Sequence, residues 1–150
     1  MSYLLDTNVL LRTLITEDSQ YQITQTAIAS LRRAKERLCI APQNIIELWN
    51  VATRPVERNG LGLSPTETET EVTQLKNLFV LLPDTEYVYL EWERLVSMYR
   101  VKGTKVHDTR LVAFALVHQI NYILTFNVQD FQRFSAEVTP VNPKKIAESK

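Results

Sequence analysis

The run Tyr3-Leu4-Leu5-Asp6-Thr7-Asn8-Val9-Leu10-Leu11 limits the possible folds more than any other stretch. A short apolar segment meets a carboxylate, two further polar residues follow, and apolar side chains then return. This is the pattern of a short buried strand that ends at Asp6 and passes at once into a helix. The alternation recurs along the chain. Strand-like segments are expected at residues 38–41, stopped by Pro42, at 79–82, stopped by Pro83, and at 122–126. Residues 138–141 suit an edge strand, because Pro140 is tolerated there. Helical spacing is expected over residues 7–15, from an N-cap at Ser19 to 35, over 43–54, from Ser64 to 77, over 84–99 and from His107 onward. Ser64-Pro65-Thr66-Glu67 is a strong helix start, with a capping hydroxyl, proline at the first helical position and glutamate at the third.

Short strands alternating with helices, with no internal repeat or linker, predict an α/β fold with a central, mainly parallel sheet. One domain is expected over residues 1–141, with residues 142–150 as a partly disordered C-terminal tail. Right-handed crossovers bring the carboxyl ends of the strands to one edge, where open parallel sheets bind their ligands.

Composition removes several function classes. Lys+Arg and Asp+Glu both number 17. That excludes a general basic coat for nucleic acid but allows a local basic patch. Cys39 is the single cysteine, so an internal disulfide is impossible, and with only His107 and His118 beside it a Cys/His zinc cage is excluded. No basic segment followed by an apolar stretch marks the N-terminus, and no apolar run approaches a membrane span. A cytoplasmic protein without membrane contact is expected.

Three carboxylates occupy equivalent places in this alternation. Asp6 ends the first strand, Glu47 lies in the first turns of the helix after the second, and Asp108 opens an apolar helix. A fourth polar cluster, residues 125–131, follows the last clear strand. Each has an ordinary structural alternative: Asp6 as a helix cap, Glu47 paired with Arg54 or solvated, Asp108 favoured by the helix dipole, Asp130 capping a turn. Together on one edge they would repel unless a cation neutralised them. Hard oxygen donors suit Mg²⁺ or Mn²⁺, with water at most positions. Such an ion activates water and stabilises charge on phosphoryl oxygens, as phosphodiester hydrolysis requires. His107 either contacts a phosphate or makes a structural hydrogen bond.

Leu4-Leu5-Asp6-Thr7-Asn8-Val9, Asn44-Ile45-Ile46-Glu47-Leu48, His107-Asp108-Thr109-Arg110-Leu111-Val112-Ala113 and Thr125-Phe126-Asn127-Val128-Gln129-Asp130-Phe131 stand in that order. In residue type, order and interval they resemble the four blocks of PIN-domain ribonucleases. The resemblance spans nearly the whole chain and is greatest to the small VapC-type toxins of bacterial toxin–antitoxin pairs. It implies a three-layer α/β/α fold and metal-dependent endoribonuclease activity. It implies that Asp6, Glu47 and Asp108 are the catalytic, metal-binding carboxylates, with Mg²⁺ or Mn²⁺ as cofactor. Asn127 matches the fourth acidic position, where it offers only a neutral oxygen. Asp130, Asn8 and Thr125 then complete the site or orient the acids. RNA is the implied substrate, with a small antitoxin and a second copy of the chain as partners. Arg100, Lys102, Lys105, Arg110 and Arg54 are candidates to hold the RNA backbone. One alternative is a PIN-like domain that binds RNA or protein with little cutting, which Asn127 favours. A lower-ranked alternative is a small-molecule phosphatase with Asp6 as nucleophile, from a partial likeness to haloacid-dehalogenase-type phosphatases whose second Asp is Asn8 here.

Overall fold

Five short strands, β1 (Ser2–Leu5), β2 (Arg37–Ile40), β3 (Val80–Leu81), β4 (Tyr122–Leu124) and β5 (Thr139–Val141), form one sheet in the computed structural model, which describes residues 1–149. Their order is β3-β2-β1-β4-β5, and every pairing is parallel. The helices are α1 (Thr7–Arg12), α2 (Tyr21–Arg33), α3 (Pro42–Thr53), α4 (Pro65–Leu78), α5 (Glu86–Met98), α6 (Lys105–Val117) and α7 (Pro143–Glu148). Single 3-10 segments lie at Val56–Arg58 and Val128–Phe134.

The three layers follow from the two-residue repeat of a strand. Leu4, paired with Cys39 and Ile123, points with them into an apolar cluster that includes Leu95, Phe114 and Phe131. Their chain neighbours Leu5, Ile40 and Leu124 enter the opposite cluster, with Leu10, Leu31, Leu48 and Leu75. A sheet covered on both faces needs such continuous apolar strands. None of the described helices is long and apolar enough to cross a membrane.

Several boundaries differ from expectation for local reasons. Helix α1 ends at Arg12, with Thr13 as its C-cap, whose hydroxyl and backbone N–H both donate to the Leu10 carbonyl, at 2.6 and 3.1 Å. Helix α2 starts at Tyr21, not after Ser19, because Asp18 Oδ1 accepts the Gln20 N–H at 2.8 Å and holds a turn there. Helix α4 has the expected capping box, with Ser64 Oγ accepting the Glu67 N–H at 3.0 Å and Glu67 Oε1 accepting the Ser64 N–H at 2.8 Å. The segment after residue 141, expected to be partly disordered, forms α7 against α2. Asn142 caps it, and Ile146 packs on the apolar cluster. Lys150 lies outside the described residues.

The chain builds β1, β2 and β3 toward one side, then crosses through α5 and α6 to β4 and β5 on the other. The order therefore reverses between β1 and β4, and a crevice opens there at the carboxyl ends of the strands. Asp6 and Thr125 directly follow those two strands.

Candidate active site

Asp6 is fixed by atoms close to the strand ends. Its backbone N–H donates to the Leu124 carbonyl at 2.9 Å. One carboxylate oxygen accepts the Thr7 N–H at 2.8 Å, so Asp6 does cap α1. The other accepts the hydroxyl of fully buried Thr125 at 2.8 Å. Thr125 Oγ1 in turn accepts Asn8 Nδ2 at 3.3 Å and the Asn127 N–H at 3.0 Å, while Asn8 Oδ1 accepts the Phe126 N–H at 3.3 Å. Asn8 and Thr125 thus pin the end of β4 to the start of α1. Asn127 takes part through its backbone N–H, and the residue itself is exposed.

Glu47 reaches the same edge from α3. Its Oε1 accepts the Thr7 hydroxyl at 2.7 Å, and its Oε2 accepts Gln43 Nε2 at 3.0 Å. Asn44 supports this arrangement, donating to Thr7 Oγ1 at 3.2 Å and accepting the Ala41 N–H at 2.7 Å. Asp108 lies in the first turn of α6. Lys105 Nζ stands 2.6 Å from Asp130 and 4.0 Å from Asp108.

Electrostatics ties these acids together. Burial raises the Asp6 carboxyl to about 6, against the pull of its Thr125 and Thr7 hydrogen bonds, and the charges of Asp108 and Glu47 raise it further. Asp108 is likewise raised to about 6, first by burial and then by Asp130 and Glu47, while Lys105 and His107 oppose the rise. Asp6, Glu47 and Asp108 thus lie within mutual repulsion, with Asp130 beside Asp108. Among the described residues, no three His, Cys, Asp or Glu side chains close into a metal cage. The donors instead fit a hard divalent ion that keeps several waters and takes one or two carboxylates. Asp6 and Asp108 are oxygen donors whose charge such an ion would neutralise.

The cations divide. Arg110 lies beside the acids, donating to Gln43 Oε1 at 3.2 Å and pairing with Asp84 at 3.3 Å. A groove of about 460 Å³ runs here along Glu47, walled by Gln43, Asp84, His107 and Arg110. Lys105 is engaged with Asp130. Arg100 and Lys102 are exposed in the connection between α5 and α6, with no ion pair to the acids among the described residues. Arg54 is not brought to this edge and does not pair with Glu47. It follows the end of α3 and donates to the Asn59 carbonyl at 3.3 Å. Sequence reasoning missed Thr7, Gln43 and Asn44 as the residues that hold Glu47. A signal was present for Gln43, which stands four residues before Glu47 on one helix face.

A family model described as PIN domain matches residues 3–137. No curated protein matches the chain. Among solved structures, the chain is similar to VapBC2 from Rickettsia felis bound to a promoter DNA fragment, with TM-score 0.71, 13% identity, and coverage of 95% of this chain and 98% of that one. It is similar to a toxin–antitoxin complex from Klebsiella pneumoniae, with TM-score 0.63, 18% identity, and coverage of 94% and 97%. It is also similar to VapC20 of Mycobacterium tuberculosis, described as a sarcin-ricin loop cleaving toxin, with TM-score 0.60, 13% identity, and coverage of 87% and 94%. At these identities the likeness is one of fold.

Proposed function

We infer that this chain, which belongs to the PIN domain family, is a metal-dependent endoribonuclease and the toxin of a bacterial type II toxin–antitoxin pair. The observation that carries the reading is the convergence of three carboxylates at the crevice between β1 and β4: Thr7 bonds both Asp6 and Glu47, and Gln43 ties Glu47 to the helix that carries Asp108. Asp6 and Asp108 hold a divalent ion, Mg²⁺ or Mn²⁺, and Glu47 completes its surroundings. When bound, that ion makes water more acidic and offsets charge on the phosphoryl group. Glu47, set by Thr7 and Gln43, orients the attacking water. Arg110 holds the RNA phosphate in the adjoining groove. Single-stranded or looped RNA fits such an edge better than a duplex, whose bases are paired and stacked out of reach.

Partners follow from the same reading. The likeness to toxin–antitoxin complexes supports a small antitoxin. Exposed Ile46 on α3 and Tyr87, Tyr89 and Leu90 on α5 support a homodimer. The functional unit spans residues 1–141, with α7 as a docked addition. The alternative of a weakly catalytic binder drew on Asn127, but Asp130 supplies a carboxylate beside Asp108, which favours cutting.

The test is cleavage of an RNA panel containing tRNA and rRNA, with and without Mg²⁺ or Mn²⁺. Asp6→Asn and Asp108→Asn are expected to abolish metal-dependent cleavage while remaining folded. Full cleavage by both variants would overturn the assignment.

A further inference from the structure

Gln43 is 8% exposed, and both polar atoms of its amide are engaged. Its nitrogen donates to Glu47 Oε2 at 3.0 Å and to the His107 carbonyl at 2.8 Å. Its oxygen accepts Arg110 Nη1 at 3.2 Å. Arg110 reaches past it to Asp84 at 3.3 Å. Among the described residues, Gln43 alone hydrogen-bonds both the Glu47 carboxylate and the helix that carries Asp108.

An amide is the one common side chain that can do this, since it supplies two donors and an acceptor from a single planar group. A carboxylate could receive Arg110 but would repel Glu47 and the His107 carbonyl. A shorter amide would not span from α3 to α6. The His107 carbonyl belongs to the residue before Asp108, so this bond links the Glu47 helix directly to the Asp108 helix. The Arg110 bond holds a guanidinium in the wall of the groove that contains Glu47, beside Asp84.

We propose that Gln43 is a positioning residue of the nuclease site, locking Glu47 against the Asp108 helix with its nitrogen and presenting Arg110 to the RNA phosphate with its oxygen. The proposal rests on the nuclease reading. Its two halves separate in two substitutions. Gln43→Glu keeps an acceptor for Arg110 and loses both donors. Gln43→Met keeps the packing volume and loses all three bonds.

Binding of a single-stranded RNA is measured by fluorescence anisotropy in EDTA, cleavage by kcat and KM with Mn²⁺, and folding by thermal melting. Gln43→Glu is expected to lose about tenfold or more in kcat, the scale of lost support to a metal-site ligand. Gln43→Met should lose a similar factor in kcat and, in addition, weaken RNA binding as much as Arg110→Ala does. The double variant Gln43→Met/Arg110→Ala should bind no more weakly than either single one. Wild-type kcat in both folded Gln43 variants overturns the inference while leaving the nuclease reading intact. Loss of activity that only tracks unfolding in both variants makes Gln43 structural and also overturns it. Wild-type protein that neither binds nor cuts RNA overturns the nuclease reading and this inference with it.

Discussion

On the β1–β4 side of the acidic edge, Asp6 is held by Thr7, its chain neighbour, and by Thr125, which directly follows its partner strand. On the α3–α6 side, Glu47 is held by side chains of α1 and α3, and Asp108 faces Lys105 and Asp130 across partly solvated space. The first side is set as soon as two parallel strands pair. The second is set only when separate helices dock. Asp6 is accordingly buried, whereas Asp108 is half-buried.

This contrast can be broken most strongly at Asp6. Asp6→Asn should reduce RNA cleavage to background yet melt no lower than wild type at pH 7.5 without metal, because it removes a buried, repelled charge. Thermal melting and cleavage on one preparation check both halves. A lower melting temperature would mean that the cap to Thr7 outweighs the desolvation of the charge.

Thr125→Val is the next largest change. It leaves a buried Asp6 oxygen and the Asn127 N–H without their partner, at a cost of about 1–3 kcal/mol by urea denaturation. Cleavage should fall by about 10–100-fold. Substitution on the second side should be milder. Lys105→Ala should change stability by less than about 1 kcal/mol, since its pairs are exposed.

Without metal, pH sharpens the same comparison. Asp6 and Asp108 sit at about 6 in the folded protein against an ordinary 3.8. Between those values the folded state retains protons that the unfolded chain has released, so stability falls as pH rises from about 4 through 6. Metal-free protein should melt higher at pH 5 than at pH 7.5. Asp6→Asn should flatten that slope, and Mg²⁺ or Mn²⁺ should raise the melting temperature at pH 7.5. A flat profile in the wild type would mean that the carboxylates are less desolvated than their packing implies.

The alternation of short strands and helices around a parallel sheet was legible because apolar strand-like runs, prolines and helix caps are local signals, whereas the strand order β3-β2-β1-β4-β5 depends on pairings between distant segments. The Ser64/Glu67 start of α4 is an example, since its partners lie three residues apart. Helix α7 was harder to read. Its short Pro143–Glu148 segment has little apolar content and gains its order from packing on α2.

Local pattern was enough to place a carboxylate just after β1, one in the first turns of α3 and one near the start of α6, because those positions depend on where short apolar runs stop and helices begin. The cap of Asp6 to Thr7 is a local contact, but the long-range partners of these carboxylates depend on how distant segments dock. The hydroxyl on Asp6 comes from 119 residues away, and the amide on Glu47 is joined to an arginine 67 residues further on. Tertiary structure also decided that Asp130, rather than Asn127, adds negative charge beside Asp108, and that Arg54 faces a loop. Periodicity assigns a residue to a helix face, but hydrogen bonds of about 3 Å depend on how that face docks against distant parts of the chain.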